Sequence, residues 1–183
     1  MNVRPIEIPT SLETGRGAIA ANPICGIGQA SLLAEPLLGF VASRECPSQI
    51  FIETLDRVSQ WVRAGRVVVS GFHSPLEQQV LTSLLRREGR AVKVLARGLG
   101  NGGYRPTPVE REPLSSGRLL VLTAFPAGVT RTTRETALAR NRLVLALSTE
   151  HYIPYLSADS PLRAWISTSA TARDAQERVG RPS

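Results

Sequence analysis

Short, unbroken apolar runs recur along this chain, and most are followed by a turn and then by apolar residues at helical spacing. This alternation constrains the fold more than any other feature. Leu37 to Ser43 reads LLGFVAS, a continuous apolar run of the kind expected of a strand buried on both faces. Phe51, Leu55, Val58 and Val62 then fall on one helical face, and Gly65 supplies a stop. Arg66 to Gly71 is a second strand, and Leu76, Val80, Leu81, Leu84 and Leu85 mark a second helix ending near Gly89. Ala91 to Ala96 and Leu119 to Phe125 read as further strands, separated by a Gly/Pro-rich loop from Gly98 to Pro108. A helix is expected from about Thr133 to Asn141, strands at Leu143 to Ser148 and Tyr152 to Ser157, and a last turn or helix near Leu162 to Ile166. Strands alternating with helices imply right-handed crossovers, hence an α/β, Rossmann-like, doubly wound and mostly parallel sheet with helices on both faces.

A chain of 183 residues suits one domain. The expected division is an irregular N-terminal arm over 1–36, a Rossmann-like ligand-binding domain over 37–166, and a small, polar, flexible tail over 167–183. Two cysteines, Cys25 and Cys46, and two histidines, His73 and His151, assemble no convincing metal site, and no cofactor is expected. So few cysteines fit a reducing compartment. The apolar stretch from Ala18 to Ala42 is interrupted by Pro23, Gly26, Gly28, Glu35 and Pro36 and suits neither a membrane span nor a signal peptide, so a cytoplasmic protein is expected.

The formal net charge is +7 and almost all of the basic excess is arginine, since Lys93 is the only lysine. Planar guanidinium groups favour phosphates and base stacking, although an arginine-rich surface alone would give the same balance. In doubly wound sheets ligands bind outside the carboxyl ends of the strands. The best-written of these ends is Ser70-Gly71-Phe72-His73-Ser74-Pro75-Leu76-Glu77. Ser74 as N-cap, Pro75 at the first helical position and Glu77 three residues after the cap form a capping box. Gly71 allows a tight turn or close backbone approach. A helix entered this way is expected to offer free N–H groups and the positive end of its dipole to a phosphate. His73 and Glu77 stand four apart and could be an acid–base pair, but capping already accounts for Glu77.

Three other segments reach the same edge. Ser43-Arg44 can offer a hydroxyl and a guanidinium to one phosphate, or be an ordinary surface loop with Glu45. Arg97-Gly98 opens a glycine cluster that continues to Tyr104, whose ring could stack a base or merely cover the loop. Arg140-Asn141-Arg142 lies at an expected helix C-terminus, where it either complements the helix dipole or clamps a phosphate.

Together these segments resemble the DNA-processing protein A (DprA/Smf) family, within the wider class of Rossmann-like ligand-binding domains related to the Lonely Guy proteins. The resemblance covers roughly residues 37–148. It rests on Ser43-Arg44 and Ser70-Gly71 after strands, on Gly98-Leu99 with Tyr104, and on Gly117 to Leu120 followed by Phe125-Pro126. Its most specific element is Arg140-Asn141-Arg142 leading into Leu143 to Ser148. The Phe72-His73-Ser74-Pro75-Leu76-Glu77 loop departs from the usual signature after Ser-Gly and marks a short, divergent branch. The resemblance implies a non-enzymatic module that binds single-stranded DNA or a nucleotide, active in DNA recombination or natural transformation. It further implies a homodimer and a strand-exchange recombinase as partner, with no membrane association. The alternative is a nucleotide-processing enzyme, a phosphoribohydrolase like the Lonely Guy proteins, with Glu77 as its only candidate acid; their Pro-Gly-Gly-x-Gly-Thr-x-x-Glu loop does not occur here.

Overall fold

The structure, a computed structural model, describes residues 3–8, 23–100 and 103–168. Its strands are β1 (Arg4–Pro5), β2 (Cys25–Gly28), β3 (Leu37–Phe40), β4 (Val67–Ser70), β5 (Arg90–Val94), β6 (Leu119–Thr123) and β7 (Glu150–Tyr152). Its α-helices are α1 (Ser48–Arg63), α2 (Pro75–Arg86), α3 (Pro108–Ser115), α4 (Arg134–Leu147) and α5 (Pro161–Thr168), and a short 3-10 helix spans Ala30–Ala34.

All seven strands join one sheet in the order β1-β2-β6-β5-β4-β3-β7. From β7 through β3, β4 and β5 to β6 every pairing is parallel, as the alternation of strands and helices requires. Side chains alternate across the sheet. Leu37, Val41, Val67, Val69, Val92, Val94, Leu120 and Leu122 enter one core, shared with α4, α5 and the 3-10 helix. Leu38, Phe40, Val68, Ala91, Leu119 and Val121 enter the other, shared with α1, α2 and α3. Three crossovers in one direction put α1, α2 and α3 on the same face. The return from β6 to the far side of β3 puts α4 on the opposite one, because a right-handed crossover changes face when its direction reverses.

Three sequence expectations are corrected. The run Leu143 to Ser148 is not a strand: it is the second half of α4, which continues unbroken from Arg134 to Leu147. Leu143, Val144, Leu145 and Leu147 are all buried, so this part of the helix shows no polar stripe, and a short apolar run carries no period that separates buried helix from buried strand. No glycine or proline interrupts residues 134–148, which was the available signal. The parallel strand that follows is β7, centred earlier than Tyr152 to Ser157. The first 36 residues are also not wholly irregular, since β1 and β2 extend the sheet antiparallel beyond β6. Most of the expected flexible tail lies outside the described residues.

Helix ends follow local chemistry. At the end of α1, Gly65 adopts φ +63° while its N–H bonds Val62 O and that of Arg66 bonds Trp61 O. After α2 the left-handed residue is Glu88, φ +60°, one position before the glycine that marks the stop in the sequence.

Candidate phosphate-binding edge

The turn from β4 into α2 is built on self-satisfaction. Ser70 Oγ, fully buried, accepts from Phe72 N at 3.2 Å, and Phe72 takes φ +47°. Ser74 Oγ accepts from Glu77 N at 3.3 Å. Glu77 is 2% exposed, and its carboxylate accepts from His73 N (2.8 Å), Ser74 N (3.2 Å) and Ala42 N (3.1 Å). The bond to Ala42 ties the cap to the end of β3, a role for Glu77 that a capping pattern alone does not reveal. These bonds change the picture drawn from the sequence. The N–H groups of Phe72, His73, Ser74 and Glu77 already have acceptors, and a carboxylate occupies the place that a phosphate would take. The same three bonds leave Glu77 committed to structure, which bears on the hydrolase alternative.

The group left over is Arg140. It lies mid-way along α4 on the opposite face of the sheet, and helical side chains tilt toward the N-terminus, which here is the carboxyl edge of the strands. Its guanidinium rests against Gly71: a methyl group added there would come within 2.6 Å of Nε and would overlap Cζ and Nη1. Gly71 is therefore required for the approach of Arg140 rather than for an unusual backbone angle. Arg140 is 5% exposed, and among the described residues its guanidinium has neither a hydrogen bond nor an ion pair. Burial pushes its pKa down, and the charge of Glu77 opposes that shift. Beside it, His73 is exposed, and its imidazole titrates below the ordinary value because burial and then the charge of Arg140 disfavour the imidazolium.

The remaining candidates divide. Arg44 is exposed near His73, and its charge is felt there. Ser43 is tied across the sheet edge: its Oγ accepts from Ser157 N at 2.9 Å, and its own N–H donates to Tyr155 O at 3.1 Å. Half-buried Arg97 donates to Gly98 O at 3.3 Å. Gly98 packs where a side chain would overlap Pro126 O, and its N–H donates to Val129 O at 2.8 Å, so it joins the loops after β5 and β6. Asn141 and Arg142 do not accompany Arg140. Two residues along a helix is a rotation of about 200°, and Arg142 lies over the Trp165 ring, 5.5 Å from its centroid. Asn141 is half-buried, with Oδ1 lacking a partner among the described residues. The three residues are thus not one clamp.

A second buried cluster escaped the sequence reading. Glu110, 1% exposed, accepts from Lys93 Nζ at 2.6 Å, from Tyr104 OH at 2.9 Å and from Thr107 N at 2.8 Å, while Lys93 also donates to Tyr104 OH at 2.9 Å. Burial alone would raise the Glu110 pKa, but the Lys93 ammonium and the Thr107 N–H outweigh it and hold the carboxyl below its usual range. Burial and then Glu110 push the Tyr104 phenol strongly up. Tyr104 thus anchors the loop before α3. The signal was present as Thr107-Pro108-Val109-Glu110, the same Ser/Thr-Pro-x-Glu pattern that opens α2.

A doubly wound α/β sheet whose carboxyl edge carries a buried, unpaired guanidinium defines a Rossmann-type domain suited to an anionic ligand. Residues 11–160 match the family described as DNA recombination-mediator protein A, and the chain belongs to that family. Two solved structures share the fold. DNA processing protein A (DprA) from Streptococcus pneumoniae aligns with a TM-score of 0.61 at 21% identity, over 87% of this chain and 53% of that one. The Helicobacter pylori protein, whose structure is described as showing a unique single-stranded DNA binding mode, aligns with a TM-score of 0.69 at 20% identity, over 96% of this chain and 78% of that one. The chain therefore spans about half the length of the pneumococcal protein. No curated protein sequence matches it. Among the described residues no helix is long and apolar enough to cross a membrane.

Proposed function

We propose that this chain binds single-stranded DNA, or the phosphate of a nucleotide, at the carboxyl edge of its sheet, and that it serves DNA processing in recombination or natural transformation. The observation that carries the reading is Arg140, a buried guanidinium at the tip of β4 with no partner among the described residues. A buried polar group without a partner is rare and unfavourable, and a bound anion would satisfy it. The loops at the same sheet edge carry groups that reach solvent: His73 and Arg44 after β4 and β3, half-buried Arg97 after β5, and, beyond β6, Arg131 before α4 and Arg134 at its start. Family membership and the single-stranded DNA named for the H. pylori relative favour a nucleic acid over a generic anion. Ser43, Ser70, Gly71, Ser74, Glu77 and Gly98 act in this reading as the frame that sets the edge. A homodimer in the cytosol that hands the strand to a recombinase completes the proposal.

The test is a titration of labelled single-stranded DNA at several salt concentrations. Each phosphate held contributes about 0.7 to the slope of log affinity against log salt. Arg44→Ala should lower both affinity and slope, whereas Arg140→Gln should lower affinity most. Failure of the wild type to bind either a strand or a free nucleotide at low salt would sink the proposal.

A further inference from the structure

We infer that the Arg140 site takes a terminal phosphate, a phosphomonoester at the end of a strand or on a free nucleotide, in preference to an internal phosphodiester. The inference rests on the reading above and names the chemical class that the site is built for. Arg140 Nε has neither solvent contact nor a partner, so what little exposure the side chain keeps includes its two terminal nitrogens, which likewise have no acceptor among the described residues. The guanidinium is seated against Gly71 and the residue is only 5% exposed, so a ligand must approach through the small window that this exposure leaves. A terminal phosphate enters such an approach with a single ester arm trailing out. An internal phosphodiester would have to fold both of its arms back through the same opening.

Charge points the same way. The Glu77 carboxylate lies at the turn and acts on Arg140 without forming an ion pair, so the local field of the guanidinium is partly offset. A phosphodiester brings one negative charge and two free oxygens; a phosphomonoester brings up to two charges and three strong acceptor oxygens. Since attraction scales with ligand charge, the dianion gains more from the same guanidinium. The donor inventory agrees. A site that tracks a strand presents a row of donors along its backbone. Here the N–H groups of Phe72, His73, Ser74 and Glu77 are committed to Ser70, Glu77 and Ser74, and the buried positive charge is concentrated on one residue.

The experiment compares oligothymidylates of about twelve nucleotides, within the span of ordinary single-strand sites, carrying a phosphate or a hydroxyl at the 5′ end or the 3′ end with the dye at the other end. Thymidine 5′-monophosphate and thymidine serve as competitors. With the wild-type chain, a phosphorylated end should bind about tenfold more tightly than its hydroxyl counterpart, as for a gained charge-assisted contact. Competition by the monophosphate and not by thymidine would identify a free nucleotide as a source, while end preference without competition would identify the strand end. In Gly71→Ala, where the added methyl displaces the guanidinium, the preference should vanish. Equal binding of phosphorylated and hydroxyl ends, with no competition by the monophosphate, would overturn this inference and leave strand binding standing. Absence of binding to every probe would remove both.

Discussion

The entries to α2 and α3 are written in nearly the same letters, Ser74-Pro75-Leu76-Glu77 and Thr107-Pro108-Val109-Glu110, and they end in opposite electrostatic states. Both glutamates are almost fully buried and both cap a helix. Glu110 is also met by the Lys93 ammonium and the Tyr104 phenol, so that cluster contains its own cation. Glu77 is met by three backbone N–H groups, and the cation nearest in role, Arg140, is left without a hydrogen bond. One cluster is closed by its own cation; in the other the glutamate is met by the backbone and the guanidinium of Arg140 has no partner among the described residues. A capping pattern thus shows that a glutamate is buried, and the surrounding fold decides whether a binding group is left over.

The contrast predicts opposite responses to removal of the cation. Lys93→Met strands the Glu110 carboxylate, and urea unfolding should report a loss of about 3 kcal/mol, typical of breaking a buried pair from one side. Arg140→Met removes a charge that has no partner among the described residues. Its stability should stay within about 1 kcal/mol of wild type or rise, while strand affinity falls by about tenfold or more. Equal destabilisation by the two substitutions would end the distinction between a closed and an open cluster.

Acid should separate the clusters too. The Glu110 pKa is depressed by folding, so its contribution is present above the ordinary carboxylate value and is lost as pH falls through the folded one. Glu110→Gln should therefore be less stable than wild type near pH 7, with the gap closing in acid, as read by thermal melts across pH. At the open cluster the His73 pKa is lowered in the free protein, so the ring is largely neutral near pH 7 and gains charge below about pH 6.5. A bound phosphate favours that charge, so affinity should rise a few-fold from pH 8 to pH 6, and His73→Asn should flatten the rise. The smallest effect belongs to the cap itself. Ser74→Ala removes one side-chain acceptor and should lower stability by about 1 kcal/mol in urea unfolding, with affinity little changed.

Much of this arrangement is legible in the chain. Continuous apolar runs placed β3 to β6, and Ser74-Pro75-Leu76-Glu77 placed the start of α2 to the residue. The second half of helix α4 is buried so fully that no amphipathic period survives; β1 has only two residues, and in β2 Gly26 and Gly28 break the apolar run that marks β3 to β6. The site was legible as a set of loops and not as an arrangement. Arg140 stood out in the sequence together with Asn141 and Arg142, but only the packing of α4 across the far face of the sheet shows that these neighbours point elsewhere. That Gly71 makes room for a side chain some seventy positions away is a tertiary fact with no local signature.

The antiparallel pairing of β2 with β6 has a consequence in time as well as in space. Cys25 sits opposite Thr123 and Gly28 opposite Leu120, so strands almost a hundred residues apart must meet. During synthesis β2 emerges early and has no sheet to join until β6 is made, whereas β3 and β4 find each other across a single helix. Until β2 docks, β6 is an exposed edge able to pair with another chain, so the pairing with β2 covers that edge.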